Sequence, residues 1–267
     1  MSDHQLRTVN ESGFPLQIAV EHLIATRKPG GWQIRYVEHA WRSADGTQNG
    51  FIDLVIQNPW DTAVMALECK RVRDVDWIFL TSKGTAAPRR QCKAWITRWT
   101  TASNFKFLGW EELPIDPSSP QASMCVVRGQ AANSPRPLLE RIASEVVAST
   151  EALARQELEY RRGEASESFR AYFNVIVTTA RLVIGEFDPS KIALADGELI
   201  GGKFTEVPHV RFRKQLLDSV RPLTPADYSD QNVAASREST VIVVNADHLA
   251  EFLADFEMDA NGANRFF

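Results

Sequence analysis

The stretch "GFIDLVIQNPWDTAVMALECKRV", residues 50–72, decides how this chain is read. Two apolar runs rich in β-branched residues, "FIDLVIQ" and "TAVMALECKRV", flank the turn-forming "NPWD", which predicts a β-hairpin. Side chains alternate across a strand, so Glu68 and Lys70 share a face with Val64 and Ala66, while Met65, Leu67 and Cys69 take the other. Asp53 shares its face with Phe51 and Val55, and the hairpin brings that face against the one carrying Glu68. Three charges thus converge at one end of a small sheet. Both strands are apolar on both faces, which fits a covered sheet. Unpaired charge is expensive there, so the cluster is expected to pair internally, to hold a metal, or both. Two carboxylates suit Mg²⁺ or Mn²⁺. A cross-strand ion pair on a solvated face is the competing reading of the same residues.

Working outward, "FPLQIAVEHLIATR" (14–27) places Leu16, Val20, Leu23 and Ile24 on one helical stripe, closed by "KPGG". "WQIRYVEHAWR" (32–42) predicts a strand and "SADGTQNG" a turn, giving a helix followed by a three-strand meander. "SKGTAAP" (82–88) predicts a loop, and "RRQCKAWITRW" (89–99) a basic helix with Trp95 and Trp99 one turn apart. The proline-rich segment 113–137 predicts mostly connection. Residues 137–162 predict one long amphipathic helix, with Leu139, Ile142, Val146 and Leu153 on its apolar stripe, acting as scaffold. "FNVIVTTARLVIGEFD", "VPHVRFRKQL" and "STVIVVN" predict strands, and "ADHLAEFLADFE" a closing helix capped by Asn245 or Asp247.

Composition narrows the class. With 267 residues, 44% hydrophobic and 24% charged, the chain has material for a packed core. Its N-terminus is polar, and no stretch approaches the roughly 18 apolar residues of a membrane span, so neither secretion nor membrane insertion is expected. Cys69, Cys92 and Cys125 are odd in number and far apart, which argues for a reducing, cytoplasmic setting and against structural zinc. His22, His39, His209 and His248 have no partner spacing that makes a constellation. A net charge of −4 gives no global attraction for nucleic acid, so any such contact needs a local patch. Arg89, Arg90, Lys93 and Arg98, interleaved with Trp95 and Trp99, offer one suited to phosphates and base stacking. A helix with inward tryptophans and solvated cations would look the same.

A helix bearing an acid, a meander, Asp on its second strand and Glu-x-Lys on its third resembles the PD-(D/E)xK nuclease superfamily, the restriction-endonuclease-like fold. The match is Ile52-Asp53 followed by Glu68-Cys69-Lys70, with Glu21 as the helix acid, and it covers residues 14–100. Ile52 stands where the motif's name has Pro. "QCKAW" (91–95) is similar to the Gln-x-x-x-Tyr element of the RecB-like exonuclease branch, with Trp95 in place of Tyr and Gln91 as the shared residue. The resemblance implies an α/β fold with a mixed central sheet flanked by helices, in one nuclease-like domain whose part after residue 100 completes or extends the sheet. It implies that Asp53, Glu68 and the Cys69 carbonyl hold Mg²⁺ or Mn²⁺, with Glu21 shaping that site, and that Lys70 acts on the attacking water or the phosphate. DNA is the implied partner, contacted by Arg89, Arg90, Gln91, Lys93 and Arg98, and a homodimer is the simple way to cut two strands. Glu21 is equally readable as a snorkelling surface acid and Gln91 as an ordinary polar residue. The function implied is phosphodiester hydrolysis in restriction, phage defence, recombination or repair. The alternative is a non-catalytic nucleic-acid-binding or assembly protein that keeps the fold.

Overall fold

The computed structural model describes residues 2–73, 75–99, 106–127, 136–160, 168–217 and 230–259. The hairpin of residues 50–72 lies inside a ten-stranded mixed sheet, as β2 (Asn49–Gln57) and β3 (Ala63–Lys70), with β1 (Gln33–Arg42) on the outer side of β2. β9 (Ser168–Thr178) runs parallel to β3 over its whole length, Ala63↔Ala171 to Lys70↔Thr178. The far edge of β9 is shared: β5 (Arg89–Trp99) pairs with residues 168–172, and β13 (Ser239–Asn245) with residues 174–178. β12 (His209–Lys214) and the short β7 (Gln121–Ala122) continue the sheet from β13, while β6 (Lys106–Ser119) pairs with β5 and with β14 (Glu257–Met258). Strands from the C-terminal half therefore stand directly beside those of the opening stretch.

Helices cover both faces. On one lies α2 (Phe14–Arg27), where Leu16, Val20 and Ile24 recur every four residues and pack with Leu54, Ile56, Met65 and Leu67. α2 ends where Lys28 takes a left-handed conformation, φ 46°, before Pro29-Gly30-Gly31. α5 (Leu249–Ala254) shares this face, entered through a 3₁₀ turn in which the Asn245 side chain accepts a hydrogen bond from the Asp247 amide. The other face is covered by α3 (Leu138–Tyr160), whose Leu139, Ile142, Val146 and Leu153 are buried against the sheet. Beneath the first half of α3 a second sheet packs, ordered β11 (Lys203–Glu206), β10 (Arg181–Phe187), β4 (Asp76–Ser82), β8 (Met124–Val127). α1 (Ser2–Glu11) precedes α2, and α4 (Asp230–Arg237) precedes β13.

Two expectations are corrected. Residues 89–99 form strand β5 rather than a basic helix: Cys92, Ala94 and Ile96 enter the core beside α2 while Trp95 enters the opposite one, a period of two. The one-turn spacing of two tryptophans misled because β5 is covered on both faces, so the polar alternation of a half-exposed strand is missing. The segment 113–137 holds the second half of a 14-residue strand and two further strands, with residues 128–135 outside the described set. Its prolines are tolerated because the Pro114 half of β6 has only β5 and the two-residue β14 as neighbours. Of the C-terminal strands, β9, β12 and β13 extend the first sheet, while β10 and β11 join β4 and β8 in the second.

Candidate active site at the open end of the hairpin

The ladder between β2 and β3 runs from Gln57↔Val64 to Leu54↔Leu67 and stops. Asp53 and Glu68 are the next residues on the two strands. Beyond that point β2 pairs only with β1, and β3 only with β9. The alternation of β2 also slips here. Val55 packs on the α3 side with Val64 and Ala66, and so does Ile52, three residues away. Asp53 sits at the slip, and its Oδ2 accepts a hydrogen bond from the Cys69 amide at 2.7 Å. The carboxylate thus closes the gap where the backbone ladder has ended. A matching irregularity lies across the sheet: Glu38 of β1, between the pairs Val37↔Leu54 and His39↔Ile52, has φ 48°. A left-handed conformation at a non-glycine residue costs on the order of 1 kcal/mol, and such distortions commonly re-aim side chains beside functional sites.

Asp53 and Glu68 border a cleft of about 560 Å³ between the tip of the β1–β2 hairpin and α3. From α3 come Arg141, Ser144, Glu145 and Ser149, and Arg136 stands just before it. α3 is therefore a wall of the cleft as well as scaffold. Burial raises the pKa of Asp53, against the lowering effect of the Cys69 amide, while Glu38 raises it further and Lys70 lowers it. Glu68 is pushed up to about 7, first by burial, then by Asp53, with Glu145 adding to the rise and Lys70 opposing it. Lys70 is thus the cation that both carboxylates feel, yet no ion pair joins it to either among the described residues. The cross-strand ion pair of the competing reading is not formed in this arrangement.

α2 approaches the strands through Gln17, buried, whose Nε2 donates to the Asp53 carbonyl at 3.4 Å and to Glu38 Oε1 at 3.5 Å. Glu21 lies one turn further along, half-buried, and makes no hydrogen bond or ion pair among the described residues. The basic segment is displaced more strongly, because β9 stands between β5 and β3. Arg90 forms a two-pronged bond to Asp116 at 2.7 and 2.9 Å and also faces Asp259. Lys93 is buried, its Nζ donating to the Ser236 carbonyl. Arg89 and Gln91 are exposed, and Arg98 is half-buried. Trp95 is enclosed between Trp110 and the Arg155 guanidinium.

Glu38, Gln17, Arg141 and Glu145 went unread in the sequence. The last two sit in the amphipathic pattern of α3 with Ser144 and Ser149, where polar residues on one stripe look like ordinary solvated surface. Among the described residues no three His, Cys, Asp or Glu side chains stand close enough to share an ion, so the donor set is two carboxylates and whatever the main chain adds. That set is all oxygen and incomplete, as suits a hydrated Mg²⁺ or Mn²⁺. The pKa of both acids is raised first by burial, so ionising them together is costly unless a cation joins them. Compared with protein-family models, with curated proteins and with solved structures, the chain matches none of them.

Proposed function

We propose that the cleft is the active site of a metal-dependent nuclease of the PD-(D/E)xK type, and that the sheet around it is a restriction-endonuclease-like core. One observation carries this reading: two carboxylates on neighbouring strands converge where their ladder ends, at a solvent-open cleft, short of a counter-charge and with Lys70 nearby. Asp53, Glu68 and the Cys69 carbonyl would hold the ion, the Cys69 amide fixing the orientation of Asp53. A bound divalent ion supplies charge neutralisation at the scissile phosphate and acidifies water. Lys70 orients the attacking water or steadies charge developing on the phosphate oxygens, and its flexible stem lets a compact ammonium reach them. Arg141 and Arg136 hold backbone phosphates on the α3 wall, taking the role expected of the 89–99 segment. Glu145 and Glu38 add negative charge that strengthens the demand for the cation. The reaction is hydrolysis of a phosphodiester bond, with DNA as the substrate to test first.

Incubation of plasmid and single-stranded DNA with the protein in Mg²⁺, Mn²⁺ or EDTA tests the proposal. Cleavage that needs the ion and disappears in Asp53→Asn is the expected result. Binding of DNA without any cleavage under all three conditions would instead mark a non-catalytic nucleic-acid-binding protein.

A further inference from the structure

Phe51 borders the same cleft and is 67% exposed. Its exposure has a structural cause. Across β1 it faces Ala40, too small to cover a ring, and the β2–β3 ladder ends at Leu54, so no β3 residue lies opposite it. Leaving a phenyl ring in water forfeits most of the stabilisation that its burial would contribute. The ring stands two residues from Asp53, about 7 Å along a strand, which is the reach from a nucleotide's phosphate to its own base. On the opposite wall Arg141 and Arg136 present positive charge. An exposed aromatic face opposite arginines is the combination by which single strands are held: phosphates on the charges, a base on the ring. Bases inside a duplex already stack on one another, so the ring can accept a base only from a single strand, an end or a gap.

We propose that Phe51 is a base-stacking platform and that the cleft takes single-stranded nucleic acid. This rests on the nuclease reading for the position of the phosphate, but it can fail or stand separately from it. The test uses a short phosphorothioate DNA strand, resistant to cutting, carrying 2-aminopurine, beside the same strand with its bases removed and a blunt duplex of equal length, all in Mg²⁺. The wild type is expected to bind the base-bearing strand more tightly than the abasic strand and the duplex, with the fluorescence of 2-aminopurine quenched by stacking. Phe51→Ala is expected to lose about five- to a hundredfold in affinity for the base-bearing strand together with the quench, and Phe51→Trp to retain both. Equal binding of base-bearing and abasic strands by the wild type, or an unchanged Phe51→Ala, overturns the proposal. Cleavage of an unmodified strand is measured alongside. A wild type that stacks and never cuts retires the nuclease reading and leaves the platform in place, whereas a wild type that cuts without any effect of Phe51→Ala retires the platform alone.

Discussion

Asp53, Glu68 and Lys70 were legible as single residues because each is a charge set into an apolar strand, and burial makes such a charge costly enough to need a reason. The same physics fixes the pH behaviour of Glu68. Its folded pKa, about 7, lies above the ordinary 4.5, so the folded state holds the proton more tightly than the unfolded chain. Below the ordinary value both states are protonated and there is no penalty. As pH rises through this window stability falls, and above about 7 the whole penalty, at most about 3 kcal/mol, is present. Glu68→Gln, which cannot ionise, is therefore predicted to be more stable than the wild type at pH 8 without metal and equal to it at pH 4, as read by urea denaturation. Mg²⁺ at pH 8 should stabilise the wild type and not the variant. A variant less stable than the wild type at pH 8 would favour an ion pair over a metal site. Lys70→Ala separates the same two readings from the other side. It is predicted to keep metal and DNA binding while lowering cleavage at least about a hundredfold. A Lys70→Ala protein with a lower melting temperature and unchanged cleavage would contradict the assigned role. Glu38 and Gln17 were not legible, since a left-handed backbone and a glutamine reaching a neighbouring strand's carbonyl leave no mark in the residue pattern.

Helices with a clear period and strands rich in β-branched residues were legible, even where the strand is buried on both faces, and β5 was not. α2 followed its period and the hairpin its β-branched runs, whereas β5, buried from Cys92 to Thr97, was hidden by the one-turn spacing of its tryptophans and by Lys93 at an interior position. α3 was legible as a helix but not as a wall of the site, because its amphipathic pattern gives no sign of which polar stripe faces a cleft. How α3 is held is equally specific. Glu157, buried, pairs with Arg170 of β9 at 2.7 Å and with Arg35 of β1 at 3.0 Å, and accepts a hydrogen bond from the Tyr172 hydroxyl at 2.7 Å. Arg170 also pairs with Asp61 in the β2–β3 turn, so one network ties the end of α3 to the closed end of the hairpin. Removing one member strands buried charge. Glu157→Ala is predicted to cost about 3–5 kcal/mol in a denaturation experiment. Glu151→Ala, which breaks only the surface pair with Arg155, should cost no more than about 1 kcal/mol. Similar losses in the two variants would show that the network does not anchor the helix.

On the scale of the whole molecule, the order of elements along the chain predicted a mixed sheet flanked by helices, and that is the architecture seen. What remained hidden was long-range: β9 takes the place beside β3, and β4, a strand not read from the sequence, pairs with β10 in a second sheet. Pairings between residues more than a hundred apart have no local signature, because alternation tells a strand which faces it has and not which strand lies next to it. No helix among the described residues is long and apolar enough to cross a membrane. The arrangement brings the open end of the hairpin, the Arg141 face of α3 and a solvent-open cleft together, and the account assigns to that place a divalent ion and phosphodiester hydrolysis. The most direct measurement is cleavage of single-stranded and plasmid DNA by purified wild type, Asp53→Asn and Lys70→Ala, with Mn²⁺ binding followed by calorimetry in the same samples. The account predicts ion-dependent cleavage by the wild type, loss of both ion and cleavage in Asp53→Asn, and loss of cleavage with the ion still bound in Lys70→Ala. A wild type that binds no Mn²⁺ and cuts neither substrate would contradict it.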